Sequence, residues 1–243
     1  MRYIFIILIL LIDIDAFSQK IKQHGFSINY NYQIPVGDLS ERFGTSSSVG
    51  ILYFFQQENN IFYSLEYEYI FGKNIKEDNI LSNIETSSNS IISSDGYYAN
   101  INLMQRGFAS HLLMGYAIHF NDNNLSGIYL SSGLGYLQHK IFVETKNQDI
   151  PQLNENYKIG YDKQRSGVSA KIITEYKYYS KKGRLQFTSG ISYILASTKN
   201  DRMYFFNDRE FSSDKKYKDN ILSFHFGMIV PINRSNKEKF HYY

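Results

Sequence analysis

The feature that most limits what this chain can fold into is an alternation of apolar and polar side chains that recurs along most of its length. The apolar positions of the clearest runs are Phe26, Ile28, Tyr30, Tyr32 and Ile34, then Val49, Ile51, Tyr53 and Phe55, then Tyr63, Leu65, Tyr67, Tyr69 and Phe71, and near the end Leu222, Phe224, Phe226, Met228 and Val230. A β-strand points successive side chains to opposite faces, so each run predicts a strand with one apolar and one polar face.

Two arrangements of such strands remain: a soluble sandwich or lipocalin-like barrel, and a β-barrel that spans a membrane. No segment beyond the N-terminus approaches the roughly 20 continuous apolar residues of a spanning helix. The apolar faces are long and carry aromatic residues at their ends, as in membrane barrels. The opposite faces carry charges in mid-strand, among them Glu66, Glu68 and Lys171, which suit the filled interior of an eight-stranded barrel. We therefore predict a membrane barrel, with the soluble fold as the alternative.

The connections between the predicted strands alternate between long and short, as in outer-membrane barrels. The long ones lie near 35–47, 72–96, 145–165 and 200–218, and the short ones near 57–60, 121–124 and 180–183. The predicted strands are 24–34, 48–56, 61–71, 97–120, 125–144, 166–179, 184–199 and 219–231. Segment 97–120 exceeds the roughly 9–11 residues of a membrane strand, so it either projects beyond the membrane or turns at Gln105–Gly107, which would give ten strands. The predicted fold class is all-β: a transmembrane, up-and-down antiparallel β-barrel of about eight strands.

The N-terminal residues have the pattern of a signal peptide. Arg2 supplies the positive start, Tyr3–Ile12 is an apolar run too short to span a bilayer as a helix, and Ala16 and Ser18 are small residues at the positions that a signal peptidase reads. We predict a signal peptide over 1–18, a barrel over 19–232 in the outer membrane of a Gram-negative bacterium, and a periplasmic C-terminal tail over 233–243. A retained N-terminal anchor is the alternative.

Composition excludes several kinds of chemistry. The chain has no cysteine, which rules out disulfides, thiolate metal sites, cysteine nucleophiles and a lipoprotein anchor. Its 26 Lys and Arg nearly balance its 23 Asp and Glu, and no basic stripe marks a nucleic-acid partner. The six histidines show no metal-ligand spacing, so we expect no metal and no cofactor. The 22 tyrosines suit a boundary with outer-membrane lipid and lipopolysaccharide.

A set of charged residues is predicted to face the lumen of the barrel. Its members are Glu66, Glu68, Lys171, Glu175, Lys177 and Arg184. Because buried charges must be paired, we interpret them as a salt-bridge network that fills the barrel. A polar path for small solutes and a pair of catalytic carboxylates are the alternatives. Ser110 and His111 are neighbours in a strand and point to opposite faces, so they form no catalytic pair, and we predict that the chain is not an enzyme.

One long connection is rich in aromatic side chains among charged ones. Its candidate partner-binding residues are Tyr204, Phe205, Phe206, Arg209 and Phe211. Exposed apolar clusters rimmed by charge mark contact surfaces, so this loop is a candidate docking site for a protein partner. The alternative is that its aromatic side chains pack onto the barrel rim or insert into the outer leaflet.

Short stretches near both ends of the chain resemble a known family. They are Pro35–Leu39 followed by Phe43–Gly44, Thr198–Arg202, Phe206–Asp208, and Asp219–Leu222 before a last strand centred on Gly227 and ending at Pro231. These stretches resemble small outer-membrane β-barrel proteins of the Bacteroidetes, although the tail after the last strand departs from the simplest pattern. Some members of that family accompany type IX secretion or outer-membrane assembly machinery. The resemblance implies a barrel with a plugged lumen that acts as a structural, docking or scaffold subunit, with a small-solute pore or a lipid-acting barrel enzyme as alternatives.

Overall fold

Long β-strands make up most of the structure, a computed structural model that describes residues 22–121, 124–146, 148–180 and 186–232. The barrel strands are β1 (Gln23–Gly37), β2 (Ser46–Gln56), β3 (Ile61–Gly72), β4 (Asn102–Asn121), β5 (Asn124–Glu144), β6 (Arg165–Tyr179), β7 (Gln186–Asn200) and β10 (Tyr217–Pro231). The remaining elements are the short strands β8 (Tyr204–Phe205) and β9 (Glu210–Phe211), the helices α1 (Asp38–Arg42) and α2 (Glu155–Lys158), and two 3-10 turns, Ser82–Ile84 and Pro151–Leu153. The predicted signal peptide, Arg184 and the predicted tail lie outside the described residues.

The barrel strands pair antiparallel with their neighbours along the chain, and β10 returns to pair with β1. At this closing seam Tyr30 lies opposite Phe226. Closure leaves no unpaired strand edge in the barrel. The predicted all-β, up-and-down barrel of eight strands is confirmed. The ten-strand alternative is excluded, because β4 pairs with β5 without a break through Gln105–Gly107.

All four long connections emerge at one end of the barrel, which we call the loop end. They are loop 1 (38–45), loop 2 (73–101), loop 3 (145–164) and loop 4 (201–216). The turn between β2 and β3, the strand ends that flank the other two short connections and both ends of the described chain lie at the opposite end, the turn end. β4 and β5 contain 20 and 21 residues, about twice the roughly 9–11 that cross a membrane. They therefore project beyond the membrane and do not turn within it.

The outward face of the barrel is apolar around its whole circumference. Every barrel strand presents exposed large apolar side chains, for example Ile28 on β1, Leu134 on β5 and Phe226 on β10. A contiguous apolar surface larger than a few hundred Å² is rare on proteins in water. Each large apolar side chain left in water lacks the roughly 1.5–3 kcal/mol of stabilisation that full burial would provide. Lipid removes that cost, so this belt identifies a transmembrane barrel and excludes the soluble alternative. No helix within the described ranges is long and apolar enough to cross a membrane.

Apolar clusters fill the interior at both ends of the barrel. The turn-end plug consists of Leu52, Phe54, Phe62, Leu113, Ala117, Leu125, Tyr129, Ile173, Tyr179 and Ile229. At the loop end a larger cluster joins inward side chains of the barrel to the loops, including Phe43 of loop 1, Ile80 of loop 2 and Leu153 of loop 3. We call this cluster and the loops that it holds the cap. The ion group of Glu66, Glu68 and Lys171 lies between the plug and the cap.

Candidate functional site

A group of three charged residues crosses the middle of the lumen. Lys171 on β6 donates to Glu66 Oε2 at 2.6 Å and also binds Glu68, both on β3, beyond the intervening strands β4 and β5. Ser48 Oγ and Gln33 Nε2 donate to Glu68 Oε2 at 3.0 and 3.3 Å. The three charged residues are 3% exposed or less, so the two carboxylates depend on Lys171 for charge compensation.

A second ion group lies nearer the turn end. Lys177 Nζ is 3.1 Å from Glu175 Oε1, and Thr188 Oγ1 donates to Glu175 Oε2 at 2.6 Å. His225 Nε2 lies 3.3 Å from the same oxygen. The predicted lumen residues within the described ranges thus form two groups at different depths in the barrel.

Aromatic rings surround the ammonium of Lys177. Its Nζ lies 4.6 Å from the ring centroid of Tyr129, 4.7 Å from that of Phe54 and 5.2 Å from that of Phe62. Cation–π attraction contributes up to about 2 kcal/mol where the cation is removed from water, and Lys177 is 1% exposed. The turn-end plug therefore closes around a cation that is both ion-paired and enclosed by aromatic faces.

A third polar group lies at the loop end of the lumen. Asp219 on β10 accepts a hydrogen bond from Thr198 Oγ1, and its Oδ2 lies 2.8 Å from His139 Nε2. Arg165 Nη1 is 3.7 Å from Asp219 Oδ1. The other ring nitrogen of His139, Nδ1, lies 3.5 Å from Arg42 Nη1. These contacts connect the wall of the barrel to loop 1, which carries Arg42.

A chain of ion pairs joins all four loops above the lumen. Arg42 Nε of loop 1 donates to Glu77 Oε2 of loop 2 at 3.2 Å. The other oxygen of Glu77 accepts from Lys163 Nζ of loop 3 at 3.0 Å, and the same Nζ lies 3.3 Å from Asp208 Oδ2 of loop 4. Several charges in one network hold their geometry better than isolated surface pairs do. The cap is therefore a single connected unit.

Glu77→Gln is expected to loosen the cap without unfolding the barrel, because it removes the charge that Arg42 and Lys163 share. Burial opposes the ionisation of Glu77, but these two cations hold its pKa below the ordinary value of 4.5. Its pairing therefore stabilises the cap above pH 4.5 and is lost as the pH falls through the lowered pKa. Hydrogen exchange should show amide protection in loop 2 about two- to fivefold lower in the variant at pH 7.

The same hydrogen-exchange experiment is repeated at acidic pH. On acidification, the protection of loop 2 in the wild type should approach that of the variant, because protonation of Glu77 has the same effect as the substitution. Equal protection in the two proteins at pH 7 would contradict the role assigned to Glu77.

The hairpin β8–β9 in loop 4 carries the predicted partner-binding residues, and part of it packs into the cap. The ring of Phe206 lies 6.0 Å from that of Tyr157 and 5.5 Å from that of Tyr161, between centroids. Phe205 is half-buried, and the ammonium of Lys163 lies 5.9 Å from its ring centroid. These two aromatic residues therefore anchor the hairpin to loop 3.

The other side of the hairpin is open to water. Phe211 is 82% exposed and Met203, which precedes β8, is 85% exposed. The half-buried Tyr204 contacts Phe211, with 5.2 Å between ring centroids, and Arg209 is exposed at the hairpin turn. The structure thus places some of the predicted partner-binding residues within the cap and others at its surface.

The described residues bring one serine and one histidine together in the lumen. His111 Nε2 lies 2.9 Å from Ser169 Oγ, but these residues are only 1% and 4% exposed. Among the described residues His111 Nδ1 has no hydrogen-bond partner. A nucleophile needs access to substrate and its base needs an orienting group, and this pair has neither. Across the same ranges, no cluster of three His, Cys, Asp or Glu side chains could hold a metal ion.

Several solved structures are similar to this chain. Neisserial surface protein A matches with a TM-score of 0.48 at 10% identity, over 85% of this chain and 96% of that one. Ail, the attachment invasion locus protein of Yersinia pestis, matches with a TM-score of 0.42 at 10% identity, over 86% and 98%. The outer membrane protein OprG from Pseudomonas aeruginosa matches with a TM-score of 0.33 at 12% identity, over 90% and 99%. No protein-family model and no curated protein matches the chain. The strand pairing and the apolar belt, rather than these likenesses, establish the fold.

Three features of the site were not predicted from the sequence: the enclosure of Lys177, the polar group around Asp219 and the ion pairs of the cap. The enclosure of Lys177 could have been suspected from Phe54 and Phe62, which interrupt the polar faces of β2 and β3 near the turn end. No comparable pattern in the sequence indicated the ion pairs of the cap. Their members lie in four different loops, and no local spacing relates one loop to another.

Proposed function

We propose that this chain is an outer-membrane β-barrel of a Gram-negative bacterium that acts as a docking subunit for a protein partner through its cap. Long loops are extracellular and short turns are periplasmic in outer-membrane barrels, so the cap faces the outside of the cell. The resemblance to small Bacteroidetes barrels favours a partner in a secretion or outer-membrane assembly machine.

The filled lumen favours docking over the alternatives. A solute would have to pass the turn-end plug, the ion groups of Lys177 and Lys171, and the cap, inside a barrel whose eight strands enclose little more than side chains. An enzyme acting on lipid would need a reactive group that lipid can reach, whereas Ser169 and His111 are buried in the lumen.

The exposure of Met203 and Phe211 carries the proposal. Both are more than four-fifths exposed on a loop that is tied to its neighbour, because Arg202 donates to the two oxygens of Asp162 at 2.9 and 2.5 Å. Exposed apolar side chains rimmed by charge are typical of contact sites. A surface that is already ordered loses less conformational entropy on binding, so this hairpin is suited to a protein partner.

The test is a double substitution, Met203→Ser with Phe211→Ser, in the native host. Loss of two central apolar contacts should weaken partner binding by about tenfold or more, since truncating a buried hot-spot residue costs about 2 kcal/mol or more. Chemical crosslinking followed by gentle detergent extraction measures the amount of partner recovered with the barrel. Phe206 is unsuitable for this test because it packs inside the cap.

The matched control is Tyr97→Ser with Tyr98→Ser, which removes two side chains that are 73% and 70% exposed in loop 2. This variant should retain its partner. A wild-type barrel that purifies alone after crosslinking, or equal recovery of partner from both double variants, would count against the docking hairpin.

A further inference from the structure

Two cations lie side by side on the outward face of the barrel near the loop end. Arg106 on β4 is paired directly with Lys140 on β5. Like charges at opposite positions of neighbouring strands repel each other. No carboxylate among the described residues forms a salt bridge with Arg106, and Lys140 Nζ reaches only Asp162 Oδ2 at 3.8 Å, an oxygen that Arg202 already binds. The positive charge of this pair is thus largely uncompensated by the barrel.

A row of aromatic rings places this pair relative to the membrane. Tyr67, Phe108 and Tyr136 form the row across β3, β4 and β5, with ring-centroid distances of 6.0 and 6.1 Å between neighbours. Aromatic girdles mark the boundary between hydrocarbon and headgroups. Arg106 is the next outward residue after Phe108 towards the loop end, so the two cations lie at the depth of the lipid headgroups.

The space around the two cations is a cavity of about 440 Å³. Its walls include Tyr69, Arg106, Phe108, Gln138, Lys140 and Phe142. The guanidinium of Arg106 is held in place, because it donates to Gln105 O at 3.1 Å and lies 5.8 Å from the ring centroid of Phe142. A held guanidinium beside an ammonium is the arrangement that binds phosphate oxygens by charge-assisted hydrogen bonds.

We propose that Arg106 and Lys140, with Gln138 beside them, bind the phosphate group of an outer-leaflet lipid. The lipid-facing position of the cavity favours a lipid over free phosphate. Leu112 and Leu134, exposed at 67% and 74%, continue the apolar surface towards the turn end, where acyl chains would pack. The ligand class is a lipid whose headgroup carries a phosphate monoester, such as a phosphorylated glycolipid. This site is separate from the docking hairpin.

Native mass spectrometry of the purified full chain in mild detergent tests the site. The probes are dioleoyl phosphatidic acid, dioleoyl phosphatidylcholine and inorganic phosphate. The wild type should retain phosphatidic acid and release phosphatidylcholine, and inorganic phosphate at equal concentration should not displace the lipid. Arg106→Gln with Lys140→Gln should weaken retention by about tenfold or more, because each cation near an anionic lipid contributes about 1 kcal/mol.

The matched control is Lys199→Gln with Lys218→Gln, which removes two exposed cations from the same end of the barrel. It should retain phosphatidic acid as the wild type does. Equal loss of phosphatidic acid from both double variants would show that the lipid is attracted by net charge alone. Displacement of the lipid by inorganic phosphate would show a site for free phosphate. Either result overturns the proposal, and so does equal retention of phosphatidic acid and phosphatidylcholine by the wild type. Lys140→Gln alone, at a position where the side chain is 38% exposed, should weaken retention severalfold. This single variant keeps the test valid if the double variant does not fold.

Discussion

Replacing Lys171 by methionine is expected to destabilise the barrel by about 3–5 kcal/mol, the usual cost of leaving a buried charge without its partner. The substitution keeps an unbranched side chain of similar length, so little packing is lost. It leaves the carboxylates of Glu66 and Glu68 without the cation that binds both. Urea titration of barrels refolded in phospholipid vesicles, followed by circular dichroism and by the gel mobility of unheated samples, measures the free energy of unfolding.

Two control variants separate charge compensation from other effects. Glu66→Gln, Glu68→Gln and Lys171→Met together remove the whole ion group and should recover most of the lost stability, because neutral replacement of a complete buried ion group is often tolerated. Lys199→Met removes one exposed positive charge and should change stability by less than about 0.5 kcal/mol. A triple variant as unstable as Lys171→Met would mean that packing, and not charge, accounts for the effect.

Planar-bilayer recordings of the wild-type barrel are expected to show no stable channels. The turn-end plug, the Lys171 group and the cap obstruct the lumen at successive depths, and an eight-stranded barrel has little space left beside its inward side chains. Replacing both Phe62 and Tyr129 by alanine should also give a barrel without conductance, since the Lys171 group and the cap still obstruct the lumen. Conductance should appear only in a variant that removes the turn-end plug, the Lys171 group and the cap together.

A general porin inserted into the same membrane is the positive control for these recordings. Reproducible steps from the wild-type barrel that scale with its concentration would contradict the closed lumen and favour the small-solute pore. Steps that appear when Phe62 and Tyr129 alone are replaced would show that the turn-end plug is the main obstruction, and that the Lys171 group and the cap leave a path for ions.

The docking and lipid proposals concern different surfaces of the same closed barrel. The proposed docking surface includes Met203 and Phe211, above the membrane, whereas the proposed phosphate site includes Arg106 and Lys140, at its boundary. Substitutions at one site should therefore leave binding at the other unchanged.

The sequence by itself determined the strands and their faces. In β3 the apolar side chains of Tyr63, Leu65 and Tyr67 point outward and the polar side chains of Ser64 and Glu66 point inward, as the alternation predicts. This inference needs only the geometry of one strand, in which successive side chains point to opposite faces. The alternation of long and short connections likewise indicated the strand count and the common end of the loops.

The tertiary structure decided which inward side chains meet. Lys171 and Glu66 are 105 residues apart, and their contact depends on the stagger of strands around the closed barrel, which no local pattern encodes. The ion chain from Arg42 to Asp208 and the packing of Phe206 against loop 3 depend in the same way on how four loops pack over one opening. A strand's face is a property of its own residues, whereas a contact across the lumen is a property of barrel closure, and for that reason the sequence predicted the first and only the structure showed the second.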